Sequence, residues 1–261
     1  MFIKFILNKP YKHIIRGNDI MEQENIEYYA KVHSIESFGT VDGPGIRYVL
    51  FLQGCSLKCK YCHNRDTWDI HGGEFKSLDE IYENILRYKN YINNGGVTVT
   101  GGEPLLQYEF LIELFKRLKK ESIHTCIDTS GMVVINDKIK ELIDLTDLFL
   151  LDIKHIDPEK CKELVGMTNK RELEFARYLS DNNKHMWIRQ VLVPGITDDE
   201  QDLLKLKDFI NSLKTVDRVE ILPYHNMGKY KWDEYHVKYE LENVRTATDE
   251  DVERAKKILE L

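Results

Sequence analysis

The chain has 261 residues, of which 42% are hydrophobic and 31% charged, a balance typical of a globular protein with enough length for a buried core. The formal net charge of -7 argues against a nucleic-acid-binding protein, and no apolar run approaches the roughly 20 residues of a membrane-spanning helix. Five cysteines, three of them clustered, do not suit a disulfide framework, so we expect free thiols in the reducing cytoplasm.

The first 30 residues carry no pattern that predicts structure. The apolar stretch at residues 1–7 is too short for a typical signal peptide and has no small-residue cleavage site. Met21 precedes a more ordinary beginning. We therefore expect residues 1–30 to be an N-terminal extension, either a disordered or packed arm or a segment before the natural start. Residues 31–261 are expected to form the domain.

After residue 45, short apolar runs alternate with amphipathic stretches, which is typical of strands separated by helices. The predicted elements, in chain order, are a strand at 47–53, a helix at 78–91, a strand at 97–100, a helix at 107–120, a strand at 124–128, a helix at 137–145, a strand at 148–152, helices at 158–164 and 171–182, a strand at 186–193, a helix at 198–213, a strand at 218–222 and a helix at 249–259. Helices between strands imply parallel pairing with right-handed crossovers. An open barrel and a doubly wound sheet are the two candidate architectures.

Unusual residue clusters follow the predicted strands at their carboxyl ends, where both architectures bind ligands. These clusters are Cys55, Cys59 and Cys62 in one loop; Gly101, Gly102 and Glu103; Asp128; Asp152, Ile153 and Lys154; and Tyr224 with His225. Because the carboxyl ends of parallel strands meet at one edge of the sheet, the pattern predicts a single shared site.

The cysteine loop places three thiols within eight residues, directly after an apolar strand. Three thiolates form an incomplete cage, which leaves one metal position open and suits an iron–sulfur cluster with one free iron. A structural zinc site would need a fourth protein ligand, from Cys126, Cys161 or His63. Unliganded buried thiols are the third alternative, but Lys58 and Lys60 make the loop polar and are expected to lower the thiol pKa values. Cys126 and Cys161 are otherwise expected to be packing residues.

For several of the clustered residues, a structural role is the alternative to ligand binding. Gly101 and Gly102 suit a turn or a close backbone approach to a ligand, and Asp128 and Asp152 suit helix N-caps. Arg189 lies within a predicted strand, where an unpaired buried arginine is costly, so we expect a carboxylate partner or a ligand for it.

The spacing Cys-x3-Cys-x2-Cys, with the aromatic Tyr61 before the last cysteine, resembles the signature of the radical S-adenosylmethionine superfamily. Residues 39–47 and 61–68 around it are similar to the glycyl-radical-enzyme activases, most closely those that act on pyruvate formate-lyase. The resemblance covers the chain from residue 31 to its end. It implies an α/β fold, namely an open (β/α)6 partial TIM barrel of the radical SAM type.

The resemblance also implies the cofactors and the reaction. One [4Fe–4S] cluster per chain would be held by Cys55, Cys59 and Cys62, and its fourth iron would chelate the amino and carboxylate groups of S-adenosylmethionine. Reductive cleavage would give methionine and a 5′-deoxyadenosyl radical, which takes a hydrogen atom from a glycine of the target protein. The organic chemistry belongs to the cofactor, and the protein supplies binding and orientation.

By the same resemblance, the cofactor-binding residues are Tyr61, Cys62, His63, Gly101, Gly102, Glu103, Asp128, Asp152, Ile153, Lys154, Arg189 and His225. Lys154 is expected to pair with the cofactor carboxylate, and His225 to contact its adenosyl part. Asp42 and Arg189 are candidates for contact with the substrate peptide. Asp128 and Asp152 together are also candidates for holding a monovalent cation.

The expected partners are pyruvate formate-lyase as the protein substrate and an electron donor of the flavodoxin or ferredoxin type, with this chain as a monomer. The nearest alternative is the activation of a different glycyl-radical enzyme. Many such activases carry a cysteine-rich insert, whereas residues 63–100 contain no cysteine. A zinc-binding interaction module is the alternative from another class.

Overall fold

The structure, a computed structural model of the chain, describes residues 27–261. Its strands are β1 (Tyr29–Gly39), β2 (Arg47–Leu52), β3 (Glu74–Ser77), β4 (Gly96–Gly101), β5 (Thr125–Thr129), β6 (Leu148–Asp152), β7 (His185–Leu192) and β8 (Val216–Pro223). Its helices are α1 (Leu78–Tyr88), α2 (Tyr108–Lys120), α3 (Asp137–Leu145), α4 (Pro158–Val165), α5 (Lys170–Asp181), α6 (Glu200–Asn211), α7 (Lys229–Glu234) and α8 (Asp249–Leu259). Turns of 3-10 helix lie at Arg65–Thr67 and Pro104–Gln107.

All eight strands form one sheet in the order β3-β1-β2-β4-β5-β6-β7-β8. The six strands from β2 to β8 in this order pair in parallel, which confirms the predicted alternation of strands and helices. Within the described residues β3 and β8 are edges that do not pair with each other, so the sheet stays open. The fold is the expected open (β/α)6 barrel, extended by two antiparallel strands at one edge.

Those two antiparallel strands, β1 and β3, were not predicted. In β1 only Ala30, Val32 and Gly39 are buried, and the remaining residues are partly or fully exposed, so the segment has no apolar run. β3 has four residues and none of them is buried. The expected N-terminal extension lies almost wholly outside the described residues, and β1 begins at Tyr29, just before the predicted start of the domain.

All of the predicted strands and helices are present, and their ends differ from the predicted ends by up to three residues. Ser77 caps α1, because its side chain accepts a hydrogen bond from the Glu80 N–H. The predicted end of that helix was wrong: α1 stops at Tyr88, because the Lys89 N–H donates to the carbonyl of Leu86, three residues back, and this tighter turn ends the α-helical ladder. Likewise α6 begins two residues late, because Asp199 is its N-cap.

The two faces of the sheet pack against different partners. In β6, Phe149 and Leu151 belong to the main core, which the helices cover on the outer face. Leu148 and Leu150 pack instead with Cys126 on the inner face. Cys126 is therefore a buried packing residue, as predicted.

A separate hydrophobic cluster carries the cysteine loop at the carboxyl ends of the strands. It joins Cys59 and Trp68 of the loop region to Leu164 of α4 and Trp232 of α7. Cys161 of α4 is fully buried in this cluster, in agreement with its predicted packing role. Across residues 27–261, no helix combines the length and apolar character that a membrane crossing needs.

Candidate functional site

One cavity brings together most of the predicted site residues. It is partly open to solvent and has a volume of about 200 Å³. The predicted residues that line it are Cys55, Cys59, Tyr61, Cys62, His63, Gly101, Gly102, Glu103, Asp128, Asp152 and Lys154. The remaining predicted residues, Asp42, Ile153, Arg189 and His225, do not line it. The structure therefore brings eleven of the predicted residues together around one cavity and leaves four outside its lining.

The cysteine loop is held by main-chain hydrogen bonds to α4. The N–H groups of Lys58 and Lys60 donate to the carbonyls of Val165 and Leu164, at 2.9 and 3.0 Å. These carbonyls belong to the last turn of α4, where helical acceptors lack partners of their own. The helix end and the loop thus satisfy each other, which gives the three thiols a fixed support.

Cys59 is buried and Cys55 and Cys62 are partly exposed, and the desolvation of their thiols governs their acidity. It raises the pKa of Cys55 to about 12 and raises the pKa of Cys59 well above its usual range. The prediction that Lys58 and Lys60 lower these pKa values was wrong, because Lys154 is the cation that opposes the effect of burial. A bound metal deprotonates a coordinating thiol outright, so such thiols suit a metal centre better than a free thiolate.

The donor set fits a cluster better than a single ion. Across the described part of the chain, no group of three or more histidine, cysteine or acidic side chains is arranged to hold one metal ion. Two candidates for a fourth zinc ligand, Cys126 and Cys161, do not line the cavity, and Cys126 packs in a different hydrophobic cluster. His63, the third candidate, uses Nε2 to donate to the carbonyl of His225 at 2.9 Å. Three cysteines thus line one cavity, and the other two cysteines do not join them there.

Gly101 and Gly102 are needed for contact with the cysteine loop. A Cβ on Gly101 would lie 2.4 Å from the main chain of Leu52, and a Cβ on Gly102 would lie 2.2 Å from the carbonyl oxygen of Gly54. The N–H groups of Gly102 and Glu103 donate to the carbonyls of Leu52 and Gly54, both at 2.8 Å. The close approach predicted for these glycines is therefore to the cysteine loop itself.

Glu103 connects the end of β4 to the end of β5. Its carboxylate accepts from Thr129 Oγ1 at 2.6 Å, from Ser130 Oγ at 2.6 Å, and from the main-chain N–H groups of Ser130 and Leu105 at 3.1 Å. Four hydrogen bonds use the acceptor capacity of a carboxylate. The side chain of Glu103 is therefore committed to shaping the cavity wall.

Arg189 of β7 has two carboxylate partners, as its place in a strand required. Its guanidinium donates to Glu220 at 2.9 Å, to Asp128 at 3.3 Å and to the carbonyl of Val41 at 2.7 Å. Thr100 Oγ1 donates to the same oxygen of Asp128 at 2.9 Å. Burial raises the pKa of Asp128 to about 6, although Arg189 acts in the opposite direction. Arg189 thus ties β5, β8 and the loop before β2 together.

Asp42 lies in that same loop, beside the carbonyl that Arg189 holds. The Asp42 carbonyl accepts from Thr98 Oγ1 at 2.6 Å, so the loop is anchored to the inner face of β4 as well. Ile153 is 1% exposed, and its N–H donates to the Arg189 carbonyl, which makes it part of the sheet. Ile153 and Arg189 are buried, whereas Asp42 is partly exposed.

Lys154 and Asp152 form an ion pair in the cavity wall, with 2.6 Å between Nζ and Oδ2. The Lys154 ammonium also lies 5.8 Å from the centre of the Tyr61 ring. The main-chain N–H of Lys154 donates to Glu172 at 2.6 Å. Glu172 is fully buried, and burial raises its pKa well above the usual range.

Sequence reasoning missed Glu172. The available signal was a carboxylate on the apolar face of α5, in helical register with Phe175 and Leu179. Within the described residues, Glu172 Oε2 and the Tyr61 hydroxyl are both buried without a hydrogen-bond partner. Both residues are neighbours of Lys154, Glu172 through the Lys154 main-chain N–H and Tyr61 through the Lys154 ammonium.

The two histidines of the site stack on each other. The rings of His63 and His225 have centroids 4.2 Å apart and planes 27° apart. Burial, and then the neighbouring His63, lowers the pKa of His225, so its ring is neutral near pH 7. Its Nδ1 is buried and has no partner in the described structure. His225 therefore reaches the cavity through His63 and carries one free ring nitrogen.

Comparison with known proteins agrees with this geometry. The model of the radical SAM superfamily matches residues 49–206, which is more than half of the chain. The SuiB protein of Streptococcus suis, solved with S-adenosylmethionine, has a TM-score of 0.59 at 21% identity over 79% of this chain and 44% of its own. At that identity the likeness supports the fold alone.

Relatives of higher identity share one description. A pyruvate formate-lyase-activating enzyme of Staphylococcus epidermidis is 54% identical over 232 residues, which are 86% of this chain and 92% of that protein. The pyruvate formate-lyase 1-activating enzyme of Escherichia coli is 47% identical over 233 residues, 88% of this chain and 95% of its own. A solved domain of a pyruvate-formate lyase-activating enzyme from Bacteroides vulgatus has a TM-score of 0.54 at 27% identity, covering 64% of this chain and 93% of its own. The chain therefore belongs to the radical SAM superfamily and, within it, to the pyruvate formate-lyase activating enzymes.

Proposed function

We propose that this protein activates pyruvate formate-lyase under anaerobic conditions by generating its glycyl radical. The observation that carries the proposal is the single cavity in which three cysteines of one loop meet Gly102, Asp128 and Lys154. A [4Fe–4S] cluster and S-adenosylmethionine, when bound there, supply a one-electron reductive cleavage whose 5′-deoxyadenosyl radical takes a hydrogen atom from a glycine of the partner protein. The cytoplasm is the compartment we propose for this activity.

The residues of the cavity suit these two groups. Cys55, Cys59 and Cys62 would hold three irons of the cluster. Lys154 presents an ammonium that can pair with the cofactor carboxylate while keeping Asp152, because an ammonium has three donors. The main chain at Gly101 and Gly102, rather than the committed side chain of Glu103, would contact the cofactor amino group.

The remaining predicted residues would act at the adenosyl part of the cofactor and at the substrate peptide. The free Nδ1 of His225, next to His63, is the contact we propose for the adenosyl part. Asp42 is the proposed contact for the substrate peptide, and Arg189 would support it by holding the neighbouring carbonyl of Val41. A flavodoxin or ferredoxin type donor would supply the electron, and we propose that the chain acts as a monomer.

A monovalent cation is a further proposed component. Asp128 and Asp152 each use one carboxylate oxygen, Oδ2, in the ion pairs described above. Their other oxygens are the ligands that we propose for the cation, beside the cofactor carboxylate. Titration of S-adenosylmethionine binding in potassium and in tetramethylammonium salts checks this: tighter binding in potassium is expected, and equal binding removes the cation from the proposal.

The test of the function is an anaerobic reconstitution with iron and sulfide, followed by incubation with pyruvate formate-lyase, S-adenosylmethionine and a reductant. We expect a visible cluster absorbance, deoxyadenosine and a glycyl-radical signal in electron paramagnetic resonance. Deoxyadenosine without the radical signal would transfer the proposal to a different glycyl-radical enzyme. Bound zinc and no cofactor cleavage would reject it in favour of an interaction module.

A further inference from the structure

Two tryptophans converge on the last cysteine of the loop. The indole Nε1–H of Trp68 donates to Cys62 Sγ at 3.3 Å, and that of Trp232 donates to the Cys62 carbonyl at 3.0 Å. Their rings meet edge to face, with centroids 5.3 Å apart and planes 81° apart. Trp68 is 9% exposed and Trp232 is 2% exposed, so both donors are held away from bulk water.

Two cations flank the tryptophan that contacts the sulfur. Lys58 Nζ lies 4.5 Å from the centre of a Trp68 ring, and the Arg65 guanidinium carbon lies 4.2 Å from it. The same guanidinium is 5.8 Å from Trp232 and 5.3 Å from Tyr235. Cations over aromatic faces are attracted to the rings, which restrains the orientation of the Trp68 indole.

Among the described residues, Cys62 differs from the other two cysteines of the loop in its donors. The Cys62 thiol has a side-chain donor in Trp68 and a main-chain donor at Asn64. The Cys55 thiol has a main-chain donor at Leu57, and the Cys59 thiol is influenced by burial and by charges. The hydrogen-bond donors to the three sulfurs are therefore concentrated at Cys62.

We propose that Trp68 is a positioning residue that raises the reduction potential of the cluster proposed at Cys55, Cys59 and Cys62. The inference rests on the proposed function. Reduction adds one negative charge to the cluster, and an N–H donor to a thiolate stabilises the more negative state more strongly. Trp68 thus makes the cluster easier for a biological electron donor to reduce.

The test is the reduction potential of reconstituted Trp68→Phe, measured by a redox titration followed by electron paramagnetic resonance. Phenylalanine keeps an aromatic ring for the flanking cations and removes the N–H donor. We expect the equilibrium constant for reduction to fall about tenfold, which is about 59 mV toward negative potential for one electron. The matched control is Trp232→Phe, which removes an indole donor from the Cys62 carbonyl instead of from its sulfur, and should shift the potential much less.

Iron and sulfide are measured first in the wild-type protein, which separates the two proposals. A wild-type protein that binds no cluster would reject the proposed function, whereas a cluster whose potential is the same in wild type and Trp68→Phe would reject only the role of Trp68. An equal shift in Trp232→Phe would also reject it, because the effect would then be general to the region.

Trp68→Phe itself could lose the cluster, so a second measurement uses the intact Trp68 side chain. Tryptophan labelled with 15N in the indole is incorporated into Trp232→Phe, which leaves Trp68 and the distant Trp187. Electron–nuclear double resonance of the reduced cluster should then detect an exchangeable proton and a 15N coupling. Absence of both couplings would overturn the hydrogen bond on which the proposal depends.

Discussion

At the scale of single residues, the five cysteines separate by their surroundings. Cys55, Cys59 and Cys62 line the cavity, whereas Cys161 is packed beside Leu164 in the hydrophobic cluster behind it. The three loop cysteines would be ligands, and the other two fill volume. This division was visible in the spacing of the sequence and is now supported by the position of each side chain.

Replacing Cys62 by alanine should therefore abolish cluster binding and activity, and the same holds for Cys55 and Cys59. The matched control Cys161→Ala should keep the cluster and lose about 1 kcal/mol of stability or somewhat more, the cost of a small core truncation. Iron content after reconstitution and a urea unfolding curve check both. Equal iron loss in Cys161→Ala would mean that the ligands are wrongly assigned.

Asp128 should make the stability of the cluster-free protein depend on pH. Burial raises its pKa from 3.8 to about 6 in the folded state. The folded protein then binds more protons than the unfolded chain. The contribution of Asp128 to the free energy of unfolding is therefore largest below about pH 4 and is lost as the pH rises through 6. The loss is at most about 3 kcal/mol at 1.36 kcal/mol per pKa unit.

The difference in unfolding free energy between wild type and Asp128→Asn, measured from pH 4 to 7, isolates this contribution. Asparagine keeps an acceptor for Thr100 and Arg189 without a titrating proton. We expect the wild-type protein to lose stability relative to the variant as pH rises. A difference that is constant with pH would show that the Asp128 carboxyl has an ordinary pKa.

At the scale of elements, the site depends on how β4 meets the cysteine loop. The main-chain hydrogen bonds from Gly102 and Glu103 to Leu52 and Gly54 make the two motifs one rigid wall. Glu103 then extends this wall to Thr129 and Ser130 at the end of β5. The carboxyl ends of β2, β4 and β5 are thus joined by hydrogen bonds between groups of the protein itself.

Gly102→Ala tests this joint. Its Cβ would be placed 2.2 Å from the Gly54 carbonyl oxygen, so the turn must move away from the cysteine loop. We expect weaker S-adenosylmethionine binding or lower cluster content with unchanged circular dichroism. The control is Gly195→Ala, where φ is +78° but no atom lies within 4 Å of the added carbon. Wild-type cluster content and cofactor affinity in Gly102→Ala would show that the turn can adapt.

At the scale of the whole molecule, cofactor binding should couple to folding, because the cavity is built from separate parts of the chain. A ligand that binds only the folded state stabilises it by about 2.7 kcal/mol at a concentration of 100 times its Kd. S-adenosylmethionine should therefore raise the melting temperature of the cluster-loaded protein under anaerobic conditions. It should raise that of Cys62→Ala much less. An equal rise in both proteins would show that the cluster does not contribute to cofactor binding.

Most of the parallel part of the fold was predictable from the sequence because β2, β4, β5, β6 and β7 are largely buried on both faces. Such strands are continuous apolar runs, and Leu148–Asp152 was located to the residue. β1 was missed because an edge-region strand with one solvated face has no such run. The end of α1 was missed because the change to a three-residue turn at Lys89 depends on local geometry rather than on composition.

The sequence by itself determined the spacing of the cysteine loop, the family and the positions of the polar clusters along the chain. These follow from local spacing and from the rule that parallel strands present their carboxyl ends on one side. Only the tertiary structure decided which hydrogen bonds and ion pairs the residues of these clusters make. It showed that the Glu103 carboxylate is hydrogen-bonded at the end of β5. It also showed that Arg189 is paired with Asp128 and Glu220, and that Trp68 contacts Cys62. Hydrogen-bond partners distant in sequence depend on side-chain directions across several elements, and sequence spacing does not specify those directions.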